Sequence, residues 1–183
     1  MSIRLYRASI AGLCLLFASG IVQASDAMIT WPAGWQIESM PPEADASGKP
    51  AVQIRQRAVK NDQVGNPMMV MELTQSTLVA GHQVNVEGVL LEMRKAIQVM
   101  FARSGFQSVC TRTRQGTLSQ IPALETTCTI TQNGVHVMTQ TLVAAASKDM
   151  AWSLSYAGSA EGYAATREEA QRIRDGVRLD GSQ

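Results

Sequence analysis

Cys110 and Cys128 each lie in the middle of a stretch rich in Thr, Val and Ile, the residues that favour a pleated strand. The two stretches are 107–114 (QSVCTRTR) and 125–131 (ETTCTIT). Between them, Gln115 to Pro122 carries the glycine, serine and proline of a turn. A hairpin centred near Leu118 to Gln120 sets Cys110 opposite Cys128. A bond there closes a loop of about 19 residues and contributes on the order of 3 kcal/mol, mainly by constraining the unfolded chain. The rival chemistry for such a pair is a reactive thiol or a metal ligand, and no CxxC spacing supports it.

The third cysteine, Cys14, belongs to a segment of another kind. Arg4 and Arg7 precede an apolar run from Ala8 to Val22, and Val22-Gln23-Ala24 puts small residues three and one positions before Ser25. A basic start, an apolar stretch short for a bilayer and small residues at a cut are the parts of a secretory signal. The expected organisation is a signal peptide over 1–24 and a single α+β domain over 25–183. A lipid anchor fits less well, because Leu13 stands before Cys14 where a small residue is needed. Loss of the leader leaves an even pair of cysteines in an exported chain, which favours their oxidation. It also removes two of the 16 basic residues, leaving 14 against 15 acidic ones. So near-neutral a surface has no global drive towards nucleic acid or anionic lipid, and no later stretch reads as a membrane span.

The remaining elements follow from period and punctuation. Residues 28–39 suggest two short strands folded about Pro32-Ala33-Gly34, and 40–50, with three prolines, suggests a solvated loop. Residues 51–59 alternate, with Val52 and Ile54 on one face and Gln53, Arg55 and Arg57 on the other; a turn over 60–67 leads to a strand over 68–78 that buries Met69, Met71 and Leu73. From Val86 the period changes. Val86, Val89, Leu90, Met93, Ile97, Met100 and Phe101 form one helical stripe between Asn85 as cap and Gly105 as stop. Asn133-Gly134 is a two-residue hairpin signal between the second cysteine strand and 135–143, and Trp152, Leu154 and Tyr156 share a face of the next strand. Thr166-Arg-Glu-Glu169 reads as the capping box of a last helix with Ala170, Ile173 and Val177 buried, supported by the Glu168/Arg172 pair. An antiparallel sheet flanked by two main helices is the expected fold class.

The opening Trp31-Pro-Ala-Gly-Trp35, the helix after two strands, Ile121-Pro122-Ala123, and the ending Trp152 to Tyr156 followed by Tyr163 and 168–177 resemble the PsbP-like α/β/α sandwich. More narrowly, the chain is similar to small secreted pseudomonad proteins known only as a domain of unknown function. PsbP-like proteins include accessory subunits of photosystem II and a nuclear transport factor that binds a small GTPase. The resemblance therefore implies a binding or assembly module, and it transfers no functional residue.

Chemistry-bearing groups are few. Acid–base or nucleophilic catalysis has only His82 and His136 to draw on, both in turn-like contexts, and no GxSxG, HExxH, P-loop or GxGxxG pattern occurs. Met68, Met69 and Met71 could offer thioethers to Cu(I), although a half-buried strand calls for the same alternation. Trp31 and Trp35 flank a Pro-Gly turn, where they form either an aromatic platform or a clamp onto the core. Arg55, Arg57 and Lys60 make a small basic strand face and Arg112 and Arg114 another, and Trp31, Trp35, Arg55 and Arg57 are the candidate binding surface.

The expected function is an exported, non-enzymatic binding or accessory module, periplasmic or secreted, with an envelope protein as partner and no cofactor. The alternative is a periplasmic carrier of a small ligand or of copper, using a cleft between the helix from Val86 and the sheet.

Overall fold

The computed structural model describes residues 29–40 and 53–179. The expected signal over 1–24, and the expected loop over 40–50 apart from Met40, lie outside them. The described elements are β1 (Trp35–Ser39), β2 (Gln53–Asn61), β3 (Pro67–Thr77), α1 (Val86–Arg103), β4 (Gln107–Cys110), β5 (Arg114–Leu118), β6 (Ile121–Gln132), β7 (Val135–Ala146), β8 (Met150–Ser159) and α2 (Ala160–Asp175). The strands form one antiparallel sheet in the order β1-β2-β3-β8-β7-β6-β4, with β5 also paired to β6. Helix α1 packs on β4, β6 and β7, and α2 packs on β3, β8 and β7.

Strict alternation divides the sheet into two cores. Met69, Met71 and Leu73 of β3, Val143 and Ala145 of β7, and Trp152, Leu154 and Tyr156 of β8 point towards α2, where Ala170 and Ile173 and the following Val177 complete the packing. Leu142 and Ala144 of β7, with Cys128 and Ile130 of β6, point the other way and meet Leu90 and Ile97 of α1. The fold is thus α+β, with an antiparallel sheet between two helices.

Helix α1 starts and stops on the residues its sequence suggests. The Asn85 side chain accepts from the Gly88 N–H at 3.0 Å, and past Ser104 the chain leaves the helix at Gly105, with φ +79. Its buried stripe is narrower than the periodicity suggests, because Val89 and Met100 are exposed.

Several expectations are corrected. Residues 29–32 form no strand. The turn closes on itself through Trp35 N–H to Pro32 O at 3.4 Å, with Gly34 at φ +91, and it delivers the chain to β1, whose partner is β2. Ile29 and Trp31 pack against the core edge instead of pairing. In β2, Ile54 is 42% exposed and burial begins at Ala58; β1 ends at Ser39 opposite Gln56, so Ile54 extends beyond the neighbour that would have covered it.

The turn expected over 115–122 shrinks to Ser119-Gln120. Both residues have positive φ, 50° and 68°, which is what a two-residue hairpin turn requires, and neither is a residue that signals it. Pro122 lies inside β6, one residue before the β6–β7 ladder starts at Ala123, where its missing N–H is not needed. Finally, α2 begins about two turns earlier than the expected capping box. Ser159 is its cap, accepting from the Gly162 N–H at 3.0 Å, while Thr166 is mid-helix and donates to Gly162 O at 2.6 Å.

Candidate functional site

The four residues of the candidate binding surface are brought to two different faces. Trp35 is buried on the α2 side, its ring 5.6 Å from Trp31, and its Nε1 donates to Glu169 of α2 at 3.1 Å. Lys60 of β2, opposite Trp35 in the ladder, donates to the other oxygen of Glu169. Arg55 and Arg57 alternate with Ala58 and so project from the opposite face. There Arg55 donates twice to Glu72, at 3.0 and 2.6 Å, and Arg57 pairs with Glu38 at 3.1 Å. The arginine face is therefore matched by carboxylates from the adjacent strands, and the tryptophans clamp the sheet edge to α2.

Glu169 is the hub of that clamp. Burial alone would push its carboxyl up, but hydrogen bonds from Lys60 and Trp35 and the charges of Lys60 and Arg172 outweigh it and hold the group below its ordinary value. A carboxyl depressed in the folded state stabilises fully above its unfolded pKa, and that contribution is lost as pH falls through the folded pKa. Stability of the wild type is expected to fall on acidification below the usual carboxylate range, and Glu169→Gln is expected to flatten that part of the profile. Urea melts of both proteins from pH 7 down to 3 check this; parallel profiles would show that Glu169 contributes nothing to the acid limb.

Cys110 and Cys128 stand opposite each other in the β4–β6 ladder and are bonded, with sulfurs 2.00 Å apart. The pairing arises by a slightly different route from the one expected. Along β5 the register is Arg114 opposite Glu125 and Leu118 opposite Ile121, whereas β4 is offset by one residue, with Thr111 to Thr113 taking up the extra residue. Thr111 fastens this break, its N–H donating to Thr127 O at 2.9 Å and its carbonyl accepting from the Thr126 hydroxyl at 2.9 Å.

The remaining candidate groups are placed as follows. His82 is exposed before α1. His136 meets Thr139 Oγ1 at 2.8 Å and Met138 O at 3.1 Å. Met69 and Met71 are 0% exposed within the α2-side core, so a copper ion would have to displace core packing to reach their sulfurs.

A hollow does open between the start of α1 and the sheet. Its floor is a band of short side chains on neighbouring strands, Thr74 opposite Ser153 and Ser153 opposite Ala144, with Ser76 opposite Ala151 one step along. Val84, Val86 and Val89 form the wall above, and the space encloses about 240 Å³. The hollow exists because residues this small cannot fill the layer between a helix and a sheet. Its apolar walls and hydroxyl floor suit a small, largely apolar molecule.

Several solved structures share this architecture, among them the following two. One is cyanobacterial PsbP (CyanoP) from Synechocystis, at TM-score 0.56 and 8% identity, covering 90% of this chain and 98% of that one. The other is LpqN of Mycobacterium tuberculosis, a protein involved in cell envelope biogenesis, at TM-score 0.55 and 15% identity, covering 84% and 82%. At such identities the likeness is one of fold, and the fold is PsbP-like. No curated protein matches the chain in sequence. A family model, that of a domain of unknown function, DUF4946, does match, over residues 26–179, and the chain belongs to that family.

Proposed function

We propose that this chain is an exported, non-enzymatic binding or accessory module of the cell envelope, acting on a partner protein there. The observation that carries the reading is the Cys110–Cys128 bond, since such bonds persist in oxidising compartments and are rare in the cytosol. The leader-like 1–24 and the likeness to LpqN, involved in cell envelope biogenesis, support the same compartment. The scarcity of catalytic groups supports a binding role.

Material taken from the native host under alkylating conditions is expected in the periplasmic or secreted fraction, without residues 1–24, and with neither sulfur labelled until reductant is added. Crosslinking in intact cells is expected to recover one envelope protein reproducibly. Label on both sulfurs before reduction, or full-length chain in the cytosol, would overturn the reading.

The hollow beside α1 favours a second reading, a carrier of a small apolar ligand. Native mass spectrometry of the same material separates the two, because a carrier retains a stoichiometric added mass and an accessory protein flies bare.

A further inference from the structure

On the α2 side of the sheet, away from the hollow, the packing is unlike the rest of that core. Next to the apolar contacts of Ala170 and Ile173 the sheet presents hydroxyls. Thr127 of β6, Thr141 of β7 and Tyr156 of β8 are successive ladder partners on one face, and Tyr163 reaches down from α2. Thr127 Oγ1 lies 2.9 Å from Thr141 Oγ1, which lies 2.6 Å from the Tyr163 hydroxyl. Tyr156 stacks on Tyr163 with ring centroids 6.0 Å apart. Thr139 adds a further hydroxyl, held by His136. Tyr163 also hydrogen-bonds the Tyr156 hydroxyl, so four linked hydroxyls carry four protons and make three bonds among themselves, which leaves a donor and several lone pairs for another molecule. Burial pushes the Tyr163 pKa up, which keeps its proton in place.

Above this floor the chain sets guanidinium groups. Arg167, Gln171 and Arg174 follow one another at spacings of four and three along α2, which puts them on one side of the helix. Arg114 approaches from β5. Glu125 is shared by Arg114, at 3.2 Å, and Arg174, at 2.5 Å, and Arg174 also donates to Thr117 O at 3.2 Å. That cluster ties α2 to the sheet. Arg167 takes no part in it and forms no ion pair among the described residues. The residues around the space thus hold three cations against one anion, and they enclose about 300 Å³. Liquid water occupies ~30 Å³ per molecule, so the space accommodates a monosaccharide-sized group.

A purely structural cluster would need Glu125, Arg114 and Arg174 alone. It would not need an open space floored by hydroxyls, nor an additional arginine at its rim. We propose that this pocket binds a small hydroxylated anion, a carboxylate or phosphate on a sugar-sized polyol, with the anionic group on Arg167 and Arg114 and the polyol on the Thr127–Thr141–Tyr163 hydroxyls. The inference does not depend on where the chain resides or on which protein it assists.

Calorimetric titration of the leader-less protein at low salt tests it, with glucose 6-phosphate, glucuronate, inorganic phosphate and glucose as probes. Glucose 6-phosphate and glucuronate are expected to bind and glucose is not, with affinity falling as salt is added. Arg167→Gln is expected to weaken both anions roughly tenfold, the loss of one charge-assisted hydrogen bond. That variant keeps a good helix former at an exposed position, so the fold is retained. Arg114→Gln, also exposed, is expected to act in the same direction. Absence of heat with either sugar anion, equal binding of glucose, or an Arg167→Gln protein that binds like wild type would overturn the proposal. Inorganic phosphate binding as tightly as glucose 6-phosphate would overturn the role of the hydroxyl floor.

Discussion

Replacing Cys110 and Cys128 together by alanine is expected to lower the stability of this domain by about 3 kcal/mol and its melting temperature by roughly 6–12 °C. The bond links residues 18 apart in sequence, and its removal frees the unfolded chain to explore conformations that the bonded chain cannot reach. The native side makes the effect larger at one place. Strand β4 has four residues and among the described residues pairs only with β6, and α1 packs on it, so without the bond the edge of the sheet loses its anchor. Amides of β4 and the last turns of α1 are expected to exchange faster than those of β7 and β8 in the double variant. Urea melts of wild type with and without reductant, beside the double variant, measure the size of the effect. Coincident midpoints in all three would show that the bond constrains nothing.

Gly162→Ala is expected to destabilise by about 2–3 kcal/mol, against the usual direction for its position. A glycine within a helix normally costs about 1 kcal/mol relative to alanine, so propensity alone predicts a gain. Sterics reverse the sign. A Cβ on Gly162 would stand 2.4 Å from Met68 O and 2.9 Å from Met68 Cα, which are backbone atoms of β3 that cannot rotate aside. Gly158 is in the same position, with its Cβ 2.2 Å from the same carbonyl. Either substitution forces the start of α2 off the sheet, an overpacking penalty of the kind that runs to about 1–3 kcal/mol and beyond. Gly88→Ala in α1 is the control. There the nearest atoms belong to the Asn85 side chain, at 3.2 Å, and the change is expected to stay within about 1 kcal/mol of wild type. Chemical melts of the three variants decide the matter; a Gly162→Ala protein as stable as Gly88→Ala would mean that α2 has room to shift.

These glycines also show where sequence reasoning reached its limit. Met69, Met71 and Leu73, or Trp152, Leu154 and Tyr156, alternate because one face of their strand is buried, and alternation can be read directly from the chain. The stripe and cap of α1 are legible for the same reason, since both are local. Gly158 and Gly162 fall between the strand ending at Tyr156 and the helix expected from Thr166, where glycine's usual role is conformational freedom. Here it is the absence of a side chain that matters, and the cause is a carbonyl about ninety residues upstream. The partner of β1 lies beyond local signals for a related reason: the turn at Pro32 to Gly34 is local, whereas the β1–β2 pairing joins residues on either side of 40–52. The hydroxyl and arginine pocket was not legible at all. Arg114, Glu125, Thr141, Tyr163 and Arg174 share no spacing, and only the antiparallel ladder and the packing of α2 on the sheet bring them together.

One junction determines how that pocket can behave. Strand β8 ends at Ser159 and α2 begins at Ala160, so strand and helix are welded without a linker. Met68 presses on Gly158 before the weld and on Gly162 after it, which removes the play a hinge would need. The wall carrying Arg167 is thereby fastened at its root to the strands beneath it. A guest would find its seat already shaped, lose little to rearrangement of the host, and enter without waiting for a gate to open.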